Sequence, residues 1–367
     1  MKNRVFTVVG QEILRNLCQV QRVGSGLPVP ISFTGPASSG AIYFRRKLLK
    51  RGISMSVMVT GGTGFIGNRI IRKLLDQGEE VVCFDLAPPR ANLEPYLDRI
   101  KMYRGDVTQL PHLLEAINTH QVHKIIHMAA LLPPDTEERH HYAMQVNIDG
   151  TNNVFEAARW SGVERVVYAS SIAVYGVQET FGERPINEDD LNDPINVYGM
   201  TKSVNDFSAK RYIDRHGMDL VGIRICTVFG HGRVTGATGM IGGLLMSLPA
   251  IGKPVSMPFH QDEQSPMIHA EDAAEVFVRA CLAERLNHRV YISGGSMCSI
   301  KDMADIVRDI IPDAQISTGD QVVPHVYNVD NSRMLADIGY EIAPLRQRIL
   351  EHINDARREA GMDPVSG

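Results

Sequence analysis

Tyr198 and Lys202 are the two side chains whose types and spacing most clearly suggest acid–base chemistry in this chain. A separation of four residues places them on the same face of a helix. Asn196, which follows a turn signal at Pro194, is predicted to cap the start of that helix. A phenol with a reference pKa of about 10 is a poor base, but a neighbouring ammonium ion favours the phenolate. Tyr198 is therefore predicted to act as a general base that accepts a hydroxyl proton.

The Y-x-x-x-K spacing is not specific by itself, since Tyr43 and Lys47 also satisfy it. That earlier pair has no strand run and no glycine-rich loop beside it. For Tyr198, the alternative interpretation is a half-buried helical tyrosine next to a solvated lysine. The elements around Tyr198 favour the catalytic interpretation.

Ser171 ends the apolar run that begins at Val166, so its hydroxyl should lie at the carboxyl end of a strand. There it could polarise a hydroxyl or carbonyl group of a substrate by hydrogen bonding. A serine that caps a turn is an equally good interpretation of this residue alone. An acyl-transfer nucleophile is disfavoured, because the G-x-S-x-G elbow of hydrolases is missing.

Two similar glycine-rich loops occur, at residues 60–67 and 235–242. Only the first has a strand run before it and helical apolar spacing after it, which is the context that binds a pyrophosphate group. The second follows an interrupted run, and the apolar stretch after it is broken by Pro249. We therefore assign dinucleotide binding to the first loop. The second is either a mobile glycine loop or, if a short helix starts near Gly239 beside Arg233, a clamp for a substrate carboxylate or phosphate.

Asp85 ends the next apolar run, 24 residues beyond Gly61. A carboxylate at this distance accepts hydrogen bonds from the two hydroxyls of an adenosine ribose. It would also repel a 2'-phosphate. The predicted cofactor is therefore NAD rather than NADP.

Further apolar runs at 100–103, 124–127, 166–168 and 220–225 alternate with helical patterns. This rhythm predicts an α/β fold of the Rossmann type, a doubly wound parallel sheet with a smaller C-terminal substrate-binding region. Ligands of such sheets lie outside the carboxyl ends of the strands. The residues at those ends are Gly61, Asp85, Asp106 and Val107, Ala129 and Ala130, Ser171, and Thr227. Asp106 is interpreted either as an adenine contact or as a turn cap.

Composition divides the chain into a basic leader and a net acidic body. Residues 1–54 hold nine Lys/Arg and one acid, Glu12, and are interpreted as an organelle transit segment or as an upstream extension of the reading frame before Met55. Residues 55–230 are predicted to bind mainly NAD, and residues 231–367 mainly the substrate. The acidic body disfavours nucleic-acid binding, and no apolar run is long enough for a membrane span.

The five cysteines and thirteen histidines show no zinc-ligand spacing, so no metal is predicted and the thiols are expected to be reduced. The expected compartment is the cytoplasm, with organelle import as the alternative if the leader is genuine. The predicted partner is a small polar substrate.

Together these motifs resemble the extended short-chain dehydrogenase/reductases, and most closely the NAD-dependent epimerase/dehydratase family. The motifs that carry the resemblance, over residues 55 to about 360, are T-G-G-T-G-F-I-G at 60–67, Asp85, Asp106-Val107, H-M-A-A at 127–130, Asn147-x-x-Gly-Thr151, S-S-x-x-V-Y-G at 170–176, and Tyr198-x-x-x-Lys202.

This resemblance implies a catalytic triad of Ser171, Tyr198 and Lys202, with Asn147 supporting Lys202 through a water molecule. It also implies a homodimer joined by helices near 140–160 and 197–216. The residues it implies for NAD binding are Gly61, Gly64, Phe65, Ile66, Gly67, Asp85, Asp106, Val107, Ala129, Ala130, Leu131, Tyr198 and Lys202.

Three departures from the family's patterns narrow the expected reaction. Ile172 and Ala173 stand where sugar dehydratases usually carry an acidic pair. Thr227 replaces an asparagine typical of nucleotide-sugar epimerases, and the usual arginine before Ile268 is missing. We therefore expect hydride transfer to or from a secondary alcohol or ketone of a sugar or sugar-acid-like substrate held by Ser171, Thr227 and Arg233. A nucleotide-sugar epimerase with tightly bound NAD is the alternative, and a non-catalytic NAD-sensing protein is disfavoured because the tyrosine–lysine pair is intact.

Overall fold

The computed structural model describes residues 55–89, 91–233 and 236–366, so the basic leader, with its Tyr43 and Lys47, lies outside the described residues. The described chain begins with the strand–loop–helix–strand unit expected around the first glycine-rich loop. Strand β1 (Ser56–Thr60) is fully buried and leads through the loop into helix α1 (Gly67–Asp76), and β2 (Glu80–Asp85) follows. Buried apolar residues of α1 recur at helical spacing and pack on the sheet.

Seven strands form one sheet, in which every pairing is parallel. The order across this sheet is β10-β6-β5-β4-β1-β2-β3. The strand order reverses between β1 and β4, which is where a doubly wound sheet opens a crevice for ligands. The additional strands are β3 (Ile100–Arg104), β4 (Val122–His127), β5 (Arg165–Ser171), β6 (Leu220–Ile225) and β10 (Val290–Ile292).

Helices cover both faces of this sheet, as the crossovers between parallel strands require. One face packs against α1 and α9 (Ala270–Leu282). The other packs against α2 (Leu110–Thr119), α5 (Gly150–Ser161) and α6 (Val197–His216). Short helices α3 (Asp135–Glu138) and α4 (His140–Met144), and a π-helical turn at Gln145–Asp149, lead into α5.

Many residues beyond the sixth strand, though not those of β10 and α9, form a second hydrophobic cluster with two small sheets. Strands β7 (Thr227–Phe229), β9 (Gln264–His269) and β11 (Ser296–Ser299) make one sheet, and β8 (Val255–Ser256) pairs with β12 (Ile316–Ser317) in the other. The remaining α-helices are α7 (Gly236–Gly239), α8 (Leu245–Ala250), α10 (Ile300–Ile310), α11 (Ser332–Ile338) and α12 (Leu345–Glu359). The remaining turns are 3-10 helices at Ala91–Arg99, Ile172–Tyr175 and Gln178–Thr180 and a π-helix at Met240–Leu244.

The second glycine-rich loop differs from its sequence-based expectation. A short strand, β7, precedes it, and it is helical from Gly236 through Ala250 by way of α7, a π-helical turn and α8. Pro249 lies in the last turn of α8 and does not break the helix before it. Within the described ranges, no helix has the length and apolar character needed to cross a membrane.

Candidate active site

The first glycine-rich loop turns sharply against the end of β4. Gly61 has φ +66°, and a Cβ there would stand 2.7 Å from the backbone nitrogen of Ala129, so only glycine fits this approach. Its N–H donates to the carbonyl of Phe84, and Gly64 N–H donates back to the carbonyl of Gly61. The loop is thereby held between the ends of β1, β2 and β4.

The start of α1 fits the pyrophosphate of a dinucleotide. Its N-cap residue, Ile66, offers no capping side chain, and its first turn contains no acid. The N–H groups of Asn68 and Arg69 donate to the carbonyls of Gly64 and Ile66, so this helix start offers an external anion mainly the positive end of its dipole. Phe65 lies beneath the guanidinium of Arg69, which also donates to the carbonyl of Phe65 and orders the loop.

Asp85 lies at the carboxyl end of β2, beside the glycine-rich loop. Its Oδ2 accepts hydrogen bonds from the N–H and the hydroxyl of Thr63, at 3.0 and 2.8 Å, and its Oδ1 accepts from Ala87 N–H. Oδ1 retains acceptor capacity for another donor. These donors hold the carboxylate in place with an oxygen left for a ribose hydroxyl.

Asp106 and Val107 follow β3 and have different surroundings. The Asp106 carboxylate accepts from Thr108 N–H at 2.8 Å, which is the turn-cap arrangement. Val107 is buried, and a Cβ on Gly150 would come within 2.8 Å of its side chain. An adenine contact by either residue stays a prediction.

The chain continues from β4 toward α6 through Ala129, Ala130 and Leu131. The side chain of Asn147 makes two hydrogen bonds to the backbone of this segment. Its Oδ1 accepts from Leu131 N–H at 2.8 Å, and its Nδ2 donates to the Leu131 carbonyl at 3.1 Å. Nδ2 also lies 3.2 Å from the hydroxyl of Thr201. These contacts tie Asn147 to α6 without a direct bond to Lys202, and its water-mediated support of Lys202 stays a prediction.

Helix α6 carries Tyr198 and Lys202 and starts as the sequence predicts. Asn196 is its N-cap, and its Oδ1 accepts from Gly199 N–H at 2.7 Å. A Cβ on Gly199 would lie 2.3 Å from the carbonyl oxygen of Ala173, so the glycine lets α6 approach the turn that follows Ser171. This close approach brings Tyr198 and Ser171 into one site.

Tyr198 and Lys202 share one face of α6, with Nζ of Lys202 lying 5.5 Å from the centroid of the tyrosine ring. Burial raises the pKa of Tyr198, while a hydrogen bond with Ser171 and the positive charge of Arg233 oppose that rise. Burial lowers the pKa of Lys202 to about 8, and the carboxylate of Asp206 opposes this. Lys202 is buried and Tyr198 is half-buried, so charges in this site interact more strongly than they would in water.

Ser171 ends β5 and also caps the turn behind it, because its Oγ accepts from Ala173 N–H at 3.1 Å. This is the turn-cap interpretation, and the polarising of a substrate by the Ser171 hydroxyl stays a prediction. Thr227 begins β7, two residues beyond the end of β6, and is partly buried.

Arg233 lies in the segment that follows β7. Its Nη2 donates to the hydroxyl of Thr238 at 2.9 Å, which ties it to α7. Its Nε is buried and has no hydrogen-bond partner among the described residues. Burial lowers the pKa of this guanidinium, and its interaction with Tyr198 opposes that change. The site therefore contains a second cation near the phenol, besides Lys202.

Two residues of the site, Glu137 and Asp206, are not among those predicted from the sequence. Glu137 accepts from the N–H groups of Val197 and Tyr198, each at 3.1 Å, and so supplies the first turn of α6 with a carboxylate from α3. No local signal could have revealed this contact, since 60 residues separate the partners. Asp206 could have been found, because it lies four residues after Lys202 on the same helix.

Asp206 is itself held by a buried ion pair, with Arg224 Nε 3.0 Å from its Oδ2, and by the hydroxyl of Tyr168. Four cysteines of the described chain, at positions 83, 226, 281 and 298, are buried and free. Across residues 55–89, 91–233 and 236–366, no cluster of three or more His, Cys, Asp or Glu side chains could hold a metal ion.

Comparisons with known proteins extend these observations. The chain spans about half the length of the curated relatives that it matches. The uncharacterized protein y4nG of Sinorhizobium fredii is 32% identical over 181 residues, which are 49% of this chain and 43% of that protein.

Two solved structures share the fold. The Thermus thermophilus UDP-glucose 4-epimerase in complex with NAD is 24% identical, with a TM-score of 0.72 over 83% of this chain and 99% of that one. The L-threonine dehydrogenase of Clostridium difficile is 23% identical, with a TM-score of 0.75 over 84% and 99%. At these identities the likeness confirms the predicted Rossmann-type α/β fold alone.

The sequence profile of the NAD dependent epimerase/dehydratase family matches residues 57–293, from β1 past the end of β10. This match covers more than half of the chain and includes the glycine-rich loop, Asp85, Ser171, Tyr198 and Lys202. It confirms the family and NAD as the cofactor. The chain belongs to the NAD dependent epimerase/dehydratase family.

Proposed function

We propose that this protein is an NAD-dependent oxidoreductase that oxidises a secondary alcohol, or reduces the corresponding ketone, in a sugar or sugar-acid-like substrate. The observation that carries this proposal is the grouping of Ser171, Tyr198 and Lys202 at the carboxyl end of β5, with the cation of Arg233 close enough to the phenol to oppose the rise in its pKa. A group that accepts a hydroxyl proton and a group that binds an anion are thereby side by side.

In this proposal NAD, when bound, supplies the hydride acceptor for oxidation or the donor for reduction. The cofactor is held by Gly61 to Gly67, by the positive end of the α1 dipole, and by Asp85 at the ribose. Val107, Ala129, Ala130 and Leu131 line the rest of its path, and Asp106 is the proposed adenine contact. The fit of the glycine cradle and the uncapped helix start support this assignment.

Tyr198 accepts the substrate's hydroxyl proton through its phenolate oxygen, and Ser171 donates a hydrogen bond that holds the same substrate oxygen. The ammonium of Lys202 and the guanidinium of Arg233 both favour the phenolate against the effect of burial. Asn147 keeps α6 in register with the segment after β4. Thr227 and Arg233 orient the substrate, within a substrate-binding region formed mainly by residues 231–367.

The proposal is tested by incubating the enzyme and NAD with aldonates, uronates, free sugars and L-threonine while recording NADH absorbance. We expect NADH to form with at least one anionic substrate, and to be lost in a Tyr198→Phe variant that still binds NAD. L-Threonine is included because a structural neighbour is named as a threonine dehydrogenase. No NADH from any compound would contradict a net dehydrogenase.

A nucleotide-sugar epimerase is the second candidate, favoured by the likeness to a UDP-glucose 4-epimerase. Such an enzyme would retain NAD through purification and interconvert UDP-glucose and UDP-galactose without net NADH. The threonine at position 227 and the missing arginine before Ile268 weigh against it. Chromatography of the sugar products after incubation distinguishes the two reactions.

We further propose a homodimer built on α4, α5 and α6. Large apolar side chains are exposed on this surface, among them Tyr142, Met144 and Phe207, the last with 66% of its surface open. A second copy of the chain would bury them. The cytoplasm remains the predicted compartment, in keeping with the four free cysteines.

A further inference from the structure

A buried row of polar side chains runs beneath the dinucleotide loop to the catalytic helix. His127, at the end of β4, is its centre: its Nδ1 lies 2.7 Å from the hydroxyl oxygen of Thr60, at the end of β1. Its Nε2 lies 3.0 Å from the hydroxyl oxygen of Thr151, in α5. Thr60, His127 and Thr151 are all buried, so each of these polar atoms depends on its protein partners.

The hydrogen-bond partners of Thr151 determine which nitrogen of His127 carries the proton. The Thr151 hydroxyl donates to the carbonyl oxygen of Asn147 at 2.6 Å, because a carbonyl can only accept. The Thr151 oxygen must therefore accept from His127 Nε2. It also accepts from Nδ2 of Asn205 at 3.1 Å, which fills its acceptor capacity.

The other ring nitrogen follows from the charge of the ring. Burial lowers the pKa of His127 to about 3, and the charge of Lys202 lowers it further in the same direction. The ring is therefore neutral at working pH, and with Nε2 protonated its Nδ1 must accept from the hydroxyl of Thr60. The Thr60 oxygen is then free to accept from Ala129 N–H, 3.4 Å away.

All bonds in this row consequently point the same way, from Ala129 N–H through Thr60, His127 and Thr151 to the carbonyl of Asn147. The first end is the backbone nitrogen against which Gly61 turns. The last end is joined to α6, because Asn205 Nδ2 donates to the same Asn147 carbonyl at 2.9 Å. The row therefore connects the cofactor cradle to the helix that carries Tyr198 and Lys202.

We infer that His127 is a positioning residue, held as the neutral Nε2–H tautomer, whose one-way hydrogen-bond row sets the distance between the cofactor cradle and the catalytic helix. This inference rests on the proposed function, because that function makes one end of the row a cofactor site and the other end a catalytic helix. It requires no contact between His127 and substrate or cofactor. A histidine that merely fills space would be free to adopt either tautomer.

The direct test is two-bond ¹⁵N–¹H NMR on protein labelled at histidine nitrogens, with His127 assigned by loss of its signals in His127→Asn. We expect one protonated nitrogen, Nε2, at neutral pH. A protonated Nδ1, an imidazolium, or a mixture of tautomers would overturn the inference. The experiment needs no substrate, so its outcome stands apart from that of the proposed reaction.

Thr151→Val and Thr151→Ser provide the functional test. Valine leaves His127 Nε2–H without an acceptor and removes one of the donors to the Asn147 carbonyl, whereas serine keeps the hydroxyl. We expect valine to weaken NAD binding and lower kcat, each by about tenfold, a loss of ~1.4 kcal/mol. Serine should restore both to within about twofold. If folded Thr151→Val protein matches the wild type in NAD affinity and kcat, the inference is wrong; if it does not fold, the NMR result on the wild type decides.

Discussion

Lys202 donates a hydrogen bond from its buried Nζ to the carbonyl oxygen of Ala169, 2.8 Å away, inside the central sheet. Few side chains are less suited to such a place, since taking an ammonium group out of water disfavours its charged form. The lowered pKa, about 8, expresses that cost. The buried charge of Lys202 thus does not stabilise the fold, and the proposed role beside Tyr198 gives it a purpose.

Lys202→Met is accordingly expected to abolish activity while stabilising the fold. Below about pH 8 the buried lysine is charged in both the folded and unfolded states, and its burial costs ~3 kcal/mol, which decreases as the pH rises toward 10.4. Loss of the bond to Ala169 offsets about 1 kcal/mol. Urea unfolding should show a gain of about 2 kcal/mol at pH 7 that vanishes near pH 10. Lys210→Met, on an exposed position of the same helix, is the control and should change little. A variant less stable than wild type at pH 7 would contradict this account.

Gly61→Ala should remove NAD binding, whereas Gly78→Ala should not. Both glycines have a positive φ, +66° and +80°, so both substitutions strain the backbone by about 1 kcal/mol. Only at Gly61 would the new Cβ meet backbone atoms, since nothing lies within 4 Å of the corresponding position at Gly78. Calorimetric titration with NAD on both variants separates the clash from the strain. Equal loss of affinity in the two would show that the close approach to Ala129 is unimportant.

Asp85→Asn should change the preference between NAD and NADP. The substitution keeps the shape of the side chain but removes the charge that repels a 2'-phosphate. The ratio of Kd values for NADP and NAD should fall by about tenfold, or ~1.4 kcal/mol. Asp76→Asn, at an exposed acid at the end of α1, is the matched control and should leave the ratio unchanged. An unaltered ratio in Asp85→Asn would place the ribose elsewhere.

Arg233→Ala should raise the KM of an anionic substrate by at least about tenfold, since a charge-assisted hydrogen bond contributes about 1.5–3 kcal/mol. Its NAD affinity should remain that of the wild type. Lys253→Ala, an exposed cation in the same region, serves as the control for a general change of charge. Equal loss of substrate and NAD affinity would argue against separate duties for Arg233 and the first glycine-rich loop.

Phe207→Glu should convert the proposed homodimer into monomers. A carboxylate on this exposed part of α6 would be carried, in two copies, into the interface between helices. Sedimentation velocity should then report half the wild-type mass. Val322→Glu changes a side chain that is similarly exposed, at 70%, far along the chain, and should leave the mass unchanged. A wild-type protein that is already monomeric would refute the dimer directly.

Local patterns in the sequence predicted the parts of the site that depend on local geometry. Residues four apart, such as Tyr198 and Lys202, lie on one face of any helix. Asp85 directly follows an apolar run, so its place at the end of a strand could be predicted. The Rossmann-type fold and the family were predicted for the same reason and are confirmed. The catalytic and binding roles of individual residues stay predictions.

Long-range partners could not be predicted in this way. Glu137 reaches the start of α6 from a different helix, and Arg224 on strand β6 pairs with Asp206 on α6. Such contacts depend on how elements pack, which no short window of residues records. The sequence likewise suggests a helix start near Gly239 only as a condition of the clamp, and does not predict helix from Gly236 through Ala250, because tertiary packing overrides the weak helix propensity of its glycines.

The two similar glycine-rich loops approach opposite ends of one short segment, Ala129 to Pro133. Gly61 abuts the backbone of Ala129, and a Cβ on Gly236 would lie 2.9 Å from the carbonyl oxygen of Pro133. The stretch from Ala129 to Pro133 thus contacts one glycine-rich loop at each end. Inserting or deleting even one residue there would change the distance between these two contacts, so the length of the stretch is a structural constraint in its own right.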